Sequence, residues 1–349
     1  MPTLREPDRT VFPRKAPRGR VKSLLINLGV FAGVSLAALL CFEIGLRLFE
    51  TAPAYDKRDN EFAFYEYDET LGWRNKPGSR GTFYMPDSKS QVVINSQGRR
   101  DVEQKLTKKK GVRRVQFYGD SFTWGYGVDA DERFSDVFAR QLEAKVKTDY
   151  EVQNFGTTGY GTDQEYLYFR DAGLENDPDL VVFAYHNDVA DVCLKEAYTY
   201  PRPFFQLSDD HLELTNVPVP QREVAWTARF EIENPSWKHR VNRTLKSSRV
   251  YDFFKRRLLA IDSVRARVIG APPYAETLEV IDALLLDADR LAKENEARFA
   301  IVLIPDKGQV HGSANTIEID GHFSPRGNEL VGHLLFERML EMGLIDGRG

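Results

Sequence analysis

Residues 115–125 read VQFYGDSFTWG, and this stretch decides how the rest of the chain is organised. Its first half is a mostly apolar run, which is typical of a buried strand. The run breaks at Gly119, and Ser121 then stands just before a predicted helix. Ligands of open α/β sheets bind outside the carboxyl ends of the strands, so this position presents a hydroxyl to a crevice. A nucleophilic serine needs that geometry, although Gly-Asp-Ser strings are also ordinary turn chemistry.

Strand and helix patterns alternate from residue 112 onward. The run at 180–185 is continuously apolar, as expected for a strand covered on both faces, and 299–304 is interpreted as another buried strand. The alternation predicts an α/β fold with three layers, α/β/α, around a mainly parallel, flavodoxin-like sheet. Ser324 is the predicted cap of the last helix, with Pro325 in its first turn. The predicted strands cover residues 112–118, 150–155, 180–185 and 299–304, and the predicted helices cover 132–145, 164–172, 275–295 and 326–342.

The N-terminal region has the pattern of a membrane-spanning segment. Residues 1–23 form a basic tail with seven Lys or Arg and two acidic residues, and an apolar run follows at 24–42. Nineteen helical residues span roughly 28 Å, close to the hydrocarbon core of a bilayer. We therefore predict a single transmembrane anchor over 24–48, with a cytoplasmic N-terminus and with the rest of the chain periplasmic or extracellular. A cleaved signal peptide is the alternative, although its apolar region is usually shorter.

The remaining chain divides into a linker with a small β-rich prelude, residues 49–111, and an α/β domain, residues 112–349. The aromatic residues at 62–67 either line a sugar-binding face or fill a local core. An insertion at about 189–271 interrupts the alternation, with a predicted hairpin around 205–214. Its basic stretch at 241–268 is interpreted as a helix that is either a solvated face or a contact for anionic glycan or lipid headgroups.

Composition narrows the classes of partner and cofactor. The net charge is −4 and the basic excess is confined to the N-terminal tail, so a nucleic-acid partner is not expected. Cys41 lies in the apolar segment, which argues against an intrachain disulfide with Cys193. The sequence shows no metal-ligand cluster, and no cofactor is expected.

Three further loops carry unusual polar residues at the predicted strand ends or before the last helix. The first, residues 154–162, is dense in glycine, which lets the backbone approach a ligand closely. The second is His186-Asn187-Asp188, and the third contains Asp320 and His322. Each alone is a weak signal. In a doubly wound sheet, however, these loops converge with Ser121 on one crevice.

In this order the four segments resemble the blocks of the SGNH/GDSL hydrolase superfamily, over about residues 112–345. The resemblance implies that Ser121 is the nucleophile, His322 the base and Asp320 the acid that orients it. It implies an oxyanion hole made by the Ser121 N–H, the Gly159 N–H and the Asn187 amide. Gly156 is the rival of Gly159 for that role.

Two departures from the family pattern refine the expectation. Tyr185 stands where the third block usually has glycine. Asp320 precedes His322 by two residues rather than three, and this spacing is similar to that of an alginate O-acetyltransferase-like branch. The resemblance therefore implies an exported, anchored serine esterase or O-acyltransferase that acts on acyl esters, expected to be acetyl esters, of cell-envelope or extracellular polysaccharide. It implies an acylated glycan or small ester as substrate and envelope polysaccharide machinery as a partner. The alternative is a catalytically silent glycan-binding or assembly protein on the same fold.

Overall fold

The computed structural model describes most of the chain outside the tail, the linker and the centre of the insertion. The described residues are 18–49, 64–84, 89–186, 192–197, 200–209, 211–221, 272–305 and 321–346, with five single positions between 250 and 261.

The strands, in chain order, are β1 Tyr65–Asp68, β2 Gly72–Asn75, β3 Arg80–Tyr84, β4 Lys89–Val93, β5 Arg113–Gly119, β6 Tyr150–Asn154, β7 Leu180–Tyr185, β8 Glu196–Ala197, β9 Tyr200–Pro201, β10 Phe204–Ser208, β11 His211–Thr215 and β12 Arg298–Leu303. The helices are α1 Arg18–Phe49, α2 Ser121–Trp124, α3 Phe134–Lys145, α4 Thr162–Tyr168, α5 Tyr274–Glu294 and α6 Pro325–Glu341.

Four parallel strands form the central sheet, in the order β12-β7-β5-β6. Successive residues of β5 and β7 point to opposite faces, and both faces are buried. One face packs against α3 and α6, and the other packs against α4 and α5. The strand order and the two helical layers confirm the predicted three-layer α/β/α fold with a flavodoxin-like sheet.

Two sequence predictions for this domain, one for a strand and one for a helix, were wrong in detail. The last strand, β12, was predicted to be buried, but it is the edge strand of the described sheet, and its Ile301 and Leu303 are 44% and 74% exposed. The helix predicted over 164–172 ends at Tyr168 and continues as a π-helical turn, Phe169–Gly173. The turn brings Gly173 against the Tyr118 hydroxyl, where a side chain at position 173 would collide.

The β-rich prelude packs directly on the sheet domain. It contains two antiparallel hairpins, β1–β2 and β3–β4. The hairpin β3–β4 and Phe64, directly before β1, share a core with the segment that follows Ser121. Phe64 of the aromatic cluster is buried in that core, which favours the local-core interpretation over a sugar-binding face. The members of this prelude core are Phe64, Phe83, Val92, Ile94, Trp124 and Tyr126. In the insertion, β10 and β11 form the predicted hairpin.

The N-terminal helix begins at Arg18, six residues before the predicted start of the anchor. Its Leu25–Gly45 segment is long and apolar enough to cross a membrane, and none of it is buried within the described structure. Membrane anchors and signal sequences share this length, composition and place in the chain. Cys41 is exposed on this helix and Cys193 is buried, and the two cysteines form no disulfide within the described residues. The predicted basic helix at 241–268 lies outside the described residues apart from single positions.

Candidate active site

Ser121 lies where the central strand turns into a helix. Strand β5 ends at Gly119, and Ser121 is the first residue of α2. A side chain at Gly119 would collide with the Thr123 hydroxyl, so this tight turn requires glycine. The Asp120 carboxylate caps the helix by accepting a hydrogen bond from the Phe122 N–H at 2.9 Å. The strand end and the cap fix the backbone of Ser121, while its side chain stays partly exposed.

His322 reaches Ser121 from the far end of the chain. Its Nε2 is 2.6 Å from the Ser121 Oγ, although 201 positions separate the two residues. The imidazole stacks on the Tyr126 ring, with a centroid distance of 4.7 Å and an angle of 27° between the ring planes. The Phe122 ring lies 4.6 Å away. With the hydroxyl donating to Nε2, this contact places a general base on a nucleophile at hydrogen-bond distance.

Two of the predicted site residues, Asn187 and Asp320, lie outside the described residues. Their roles as oxyanion donor and as the acid that orients His322 therefore stay predictions. The described residues next to Asn187 and Asp320 in the chain are His186 and Gly321. His186 directly follows the end of β7, and Gly321 directly precedes His322.

The two candidate glycines of the second block have different surroundings. The Gly156 N–H donates to the Asn154 side-chain oxygen at 2.9 Å, so this N–H is already committed. A side chain at Gly156 would lie 2.6 Å from the Thr123 carbonyl carbon and would collide with the Trp124 amide nitrogen. Gly156 therefore serves the close packing of this loop against α2. Gly159 has a left-handed backbone, φ 79°, at a partly exposed turn. This contrast favours Gly159 over Gly156 as the oxyanion donor.

The prelude holds the turn that carries Gly159. The Trp73 indole N–H donates to the Thr158 carbonyl at 3.1 Å, and the Tyr160 hydroxyl donates to the Trp73 carbonyl at 2.5 Å. Asn75 donates to the Gly156 carbonyl at 3.3 Å and accepts from the Trp124 indole at 3.0 Å. Strand β2 is thus hydrogen-bonded both to the glycine-rich loop and to the nucleophile helix.

A buried arginine ties the prelude to the chain after α2. Arg100 donates to the carbonyls of Trp124, Gly125, Val128 and Gln91 at 2.6 to 3.1 Å. Its guanidinium also lies 4.5 Å from the centre of the Trp124 ring. Burial lowers the pKa of Arg100 to about 9, so the group is still charged at neutral pH and depends on these carbonyls. Arg100 thereby fixes the loop on which Tyr126 stands.

The sequence predictions missed Tyr126 and Phe122, the two rings that hold His322. Tyr126 stands between Gly125 and Gly127, whose φ angles are 84° and 82°. An aromatic residue between two glycines directly after a nucleophile motif was the available signal. Its contact with His322 depends on the folded chain and has no trace in the sequence near residue 322.

One segment of the chain matches a family model. Residues 117–213 match the model of the GDSL-like Lipase/Acylhydrolase family. No curated protein matches the chain.

Solved structures give weaker likenesses. A lipase/acylhydrolase from Enterococcus faecalis is 16% identical and has a TM-score of 0.31; the match covers 68% of this chain and 99% of that one. A GDSL-like lipase from Bacteroides thetaiotaomicron VPI-5482 is 14% identical and has a TM-score of 0.28; the match covers 68% of this chain and 93% of that one. The acetyl xylan esterase AlAXEase is 13% identical and has a TM-score of 0.28; the match covers 65% of this chain and 100% of that one. Likenesses at this level carry no information about the substrate of this chain.

Proposed function

We propose that this chain, which carries a GDSL-like lipase/acylhydrolase segment, is a serine esterase or O-acyltransferase that uses Ser121 and His322. The observation that carries the proposal is the 2.6 Å contact between the His322 Nε2 and the Ser121 Oγ. The contact joins an imidazole to a hydroxyl at the carboxyl end of a central parallel strand. The ligands of α/β folds bind at the carboxyl ends of these strands.

The proposed reaction has two halves. In the first, His322 takes the Ser121 proton as the Oγ attacks the ester carbonyl, and the tetrahedral oxyanion accepts hydrogen bonds from the Ser121 and Gly159 N–H groups and the Asn187 amide. The imidazolium then gives its proton to the departing alcohol, which leaves an acyl group on Ser121. In the second half, water or a sugar hydroxyl attacks this acyl group, and His322 again moves the proton. Asp320 would hold the imidazole in the tautomer that accepts at Nε2.

The finer parts of the proposal rest on the sequence. The apolar segment Leu25–Gly45 and the basic tail before it support an anchored domain on the far side of a membrane. The two-residue spacing of Asp320 and His322 supports acyl groups on exported polysaccharide as the substrate class. Acetyl esters are the proposed acyl group, and hydrolysis and transfer share every step up to the acyl-enzyme.

Ester turnover tests the enzymatic part of the proposal. Full-length protein in detergent should hydrolyse p-nitrophenyl acetate, and Ser121→Ala should lower kcat/KM by at least ~10³-fold. Ser208→Ala, at the exposed last residue of β10, is the matched control and should keep the full rate. Equal rates for the wild type and Ser121→Ala would defeat the proposal and favour a silent glycan-binding or assembly role.

A second assay separates hydrolysis from transfer. Acceptor oligosaccharide is added to the same reaction, and the sugars are analysed by mass spectrometry. An acetylated oligosaccharide that disappears with Ser121→Ala identifies a transferase. Free acetate alone, at a rate that does not depend on the acceptor, identifies an esterase.

A further inference from the structure

A buried arginine of the insertion reaches the glycine-rich loop. Arg202 directly follows β9, and its side chain is 0% exposed. The guanidinium donates a hydrogen bond to the carboxyl group of Asp163, which is also 0% exposed. Asp163 is the first residue after the loop 154–162 and lies in the first turn of α4. This contact therefore joins the insertion to the end of the loop that carries Gly159.

The loop leaves room for the arginine at Gly161. A side chain at this position would lie 2.8 Å from the Arg202 guanidinium and 3.2 Å from the Asp163 carboxyl oxygen. The Gly161 carbonyl also accepts the N–H groups of Gln164 and Glu165, at 2.9 and 3.0 Å, and so begins the hydrogen bonding of α4. Glycine at 161 thus permits the close approach of Arg202 to the start of the helix.

The backbone of Arg202 is itself held on both sides of the residue. Its N–H donates to the Lys195 carbonyl at 3.0 Å, and its carbonyl accepts from the Asn216 amide at 2.6 Å. Strand β9 also lies against the prelude, since a side chain at Gly72 would lie 2.5 Å from the Pro201 carbonyl oxygen. The guanidinium therefore extends from a fixed backbone.

The turn at Gly159 consequently has a support on each side. Before and after the glycine, the prelude holds Thr158 and Tyr160 through Trp73. Further along the chain, Arg202 holds the first turn of α4. Gly159 lies between these supports, and the direction of its N–H follows from where they place the backbone.

Stability alone does not account for a buried pair of this kind. Burial raises the pKa of the Asp163 carboxyl group, and the neighbouring guanidinium acts in the opposite direction. Replacement of such a pair by neutral groups of similar size often leaves stability unchanged, whereas removal of one partner strands the other in the interior. What a neutral replacement lacks is the directed bond between Arg202 and Asp163.

We propose that Arg202 is a positioning residue, which holds Asp163 at the start of α4 and so fixes the turn at Gly159 with its N–H directed at the oxyanion formed on Ser121. This inference rests on the proposed function, because it concerns the transition state of the same acyl transfer. The insertion would then take part in catalysis through the loop that it supports. Loss of the bond should impair the transition state more than substrate binding.

Steady-state kinetics of the full-length protein with p-nitrophenyl acetate test the inference. Arg202→Met should lower kcat about ten-fold with less than a two-fold change in KM, since complete loss of an oxyanion donor typically costs ~10²–10³-fold. Phenylboronic acid forms a tetrahedral adduct with a nucleophilic serine, so its inhibition constant should rise about ten-fold in parallel. Arg290→Met removes an exposed ion pair on α5 and should match the wild type.

A double variant separates positioning from stability. Arg202→Met/Asp163→Asn leaves no charged partner behind, and it serves as the test if Arg202→Met does not fold. It should unfold at a urea concentration close to that of the wild type and still show the ten-fold loss in kcat.

Four outcomes would overturn the inference. The first is an unchanged kcat in either folded variant, and the second is a raised KM with kcat intact, which would indicate direct substrate contact. The third is a lowered kcat with an unchanged boronate constant, which would place the effect away from the oxyanion. The fourth is a double variant that does not fold, which would make the pair a support of the whole domain. Failure of the proposed function is distinct, because Ser121→Ala would then already match the wild type.

Discussion

Ser121 and His322 meet at one contact but are held in place by different kinds of interaction. Ser121 is fixed by its backbone: its strand β5 is paired on both sides, and the Ser121 carbonyl accepts hydrogen bonds from the N–H groups of Gly125 and Tyr126 at 3.1 and 3.0 Å. His322 is held by rings, since Tyr126 stacks on it and Phe122 packs beside it.

Because of this difference, Ser121 and His322 should respond to different kinds of substitution. A group fixed by backbone hydrogen bonds tolerates trimming of nearby side chains, but any displacement of the backbone carries it along. A group fixed by ring contacts responds directly to the loss of a ring. The prelude contacts the supports of both Ser121 and His322. Strand β2 is hydrogen-bonded to the glycine-rich loop and to Trp124 of the nucleophile helix, and the prelude core includes Tyr126, which stacks on His322. The hairpins before the sheet domain are therefore part of the active-site framework.

Among substitutions outside the reactive pair, the largest effect is expected from Gly156→Ala, which acts on the serine side. The added methyl group would meet the backbone of Thr123 and Trp124, which cannot move without shifting α2. Misplacement of a reacting group by about 1 Å can cost ~10²-fold, so we expect kcat/KM for p-nitrophenyl acetate to fall by about that factor. Gly81→Ala is the control, because its new methyl group meets only the Phe64 ring edge at 3.4 Å. A fully active Gly156→Ala enzyme would show that backbone packing does not hold Ser121.

A smaller effect is expected on the histidine side from Tyr126→Leu. A stacked aromatic pair contributes about 0.5–1.5 kcal/mol beyond area burial, which corresponds to as much as a ten-fold loss in rate. The loss should appear in kcat, with KM nearly unchanged, because Tyr126 holds the base. Tyr126→Phe keeps the ring and should stay within about two-fold of the wild type. Equal kcat values for the leucine and phenylalanine variants would rule out stacking as the support of His322.

The smallest effect on turnover is expected from Arg100→Met, which acts mainly on stability. The substitution removes a donor shared by four carbonyls, three of them in buried hydrogen bonds, and should cost roughly 2–3 kcal/mol in the free energy of unfolding, measured by urea denaturation. Below the unfolding transition, kcat should fall by less than about three-fold. Arg338→Met removes an exposed ion pair on α6 and should cost less than about 1 kcal/mol. If both variants unfold at the same urea concentration, Arg100 does not hold the loop.

The sequence predicted the parts of the fold that local patterns encode. The alternation of strands and helices gave the parallel sheet, and the run before Gly119 gave the central strand. The Ser324 cap and Pro325 marked the start of α6, where the Ser324 hydroxyl accepts from the Gly327 N–H at 3.2 Å. These features depend on propensity and on hydrophobic period, which can be read from neighbouring residues.

What the sequence did not predict depends on contacts between distant residues. An apolar run does not show whether its strand is central or at an edge, so the exposure of β12 was missed. The stacking of Tyr126 on His322 joins residues that lie far apart in the chain. The choice between Gly156 and Gly159 depended on the hydrogen bond from the Gly156 N–H to the Asn154 side-chain oxygen, which forms only in the folded chain.

Covalent labelling shows whether His322 activates Ser121. A fluorophosphonate reacts with a serine hydroxyl that a neighbouring base activates, and peptide mapping by mass spectrometry locates the adduct. We expect one labelled site, Ser121, in the full-length protein, with at least ~10³-fold slower labelling in His322→Ala and unchanged labelling in the exposed control His211→Ala. An adduct on another residue, or equally fast labelling of Ser121 without His322, would contradict the claim that these two residues form the reactive pair.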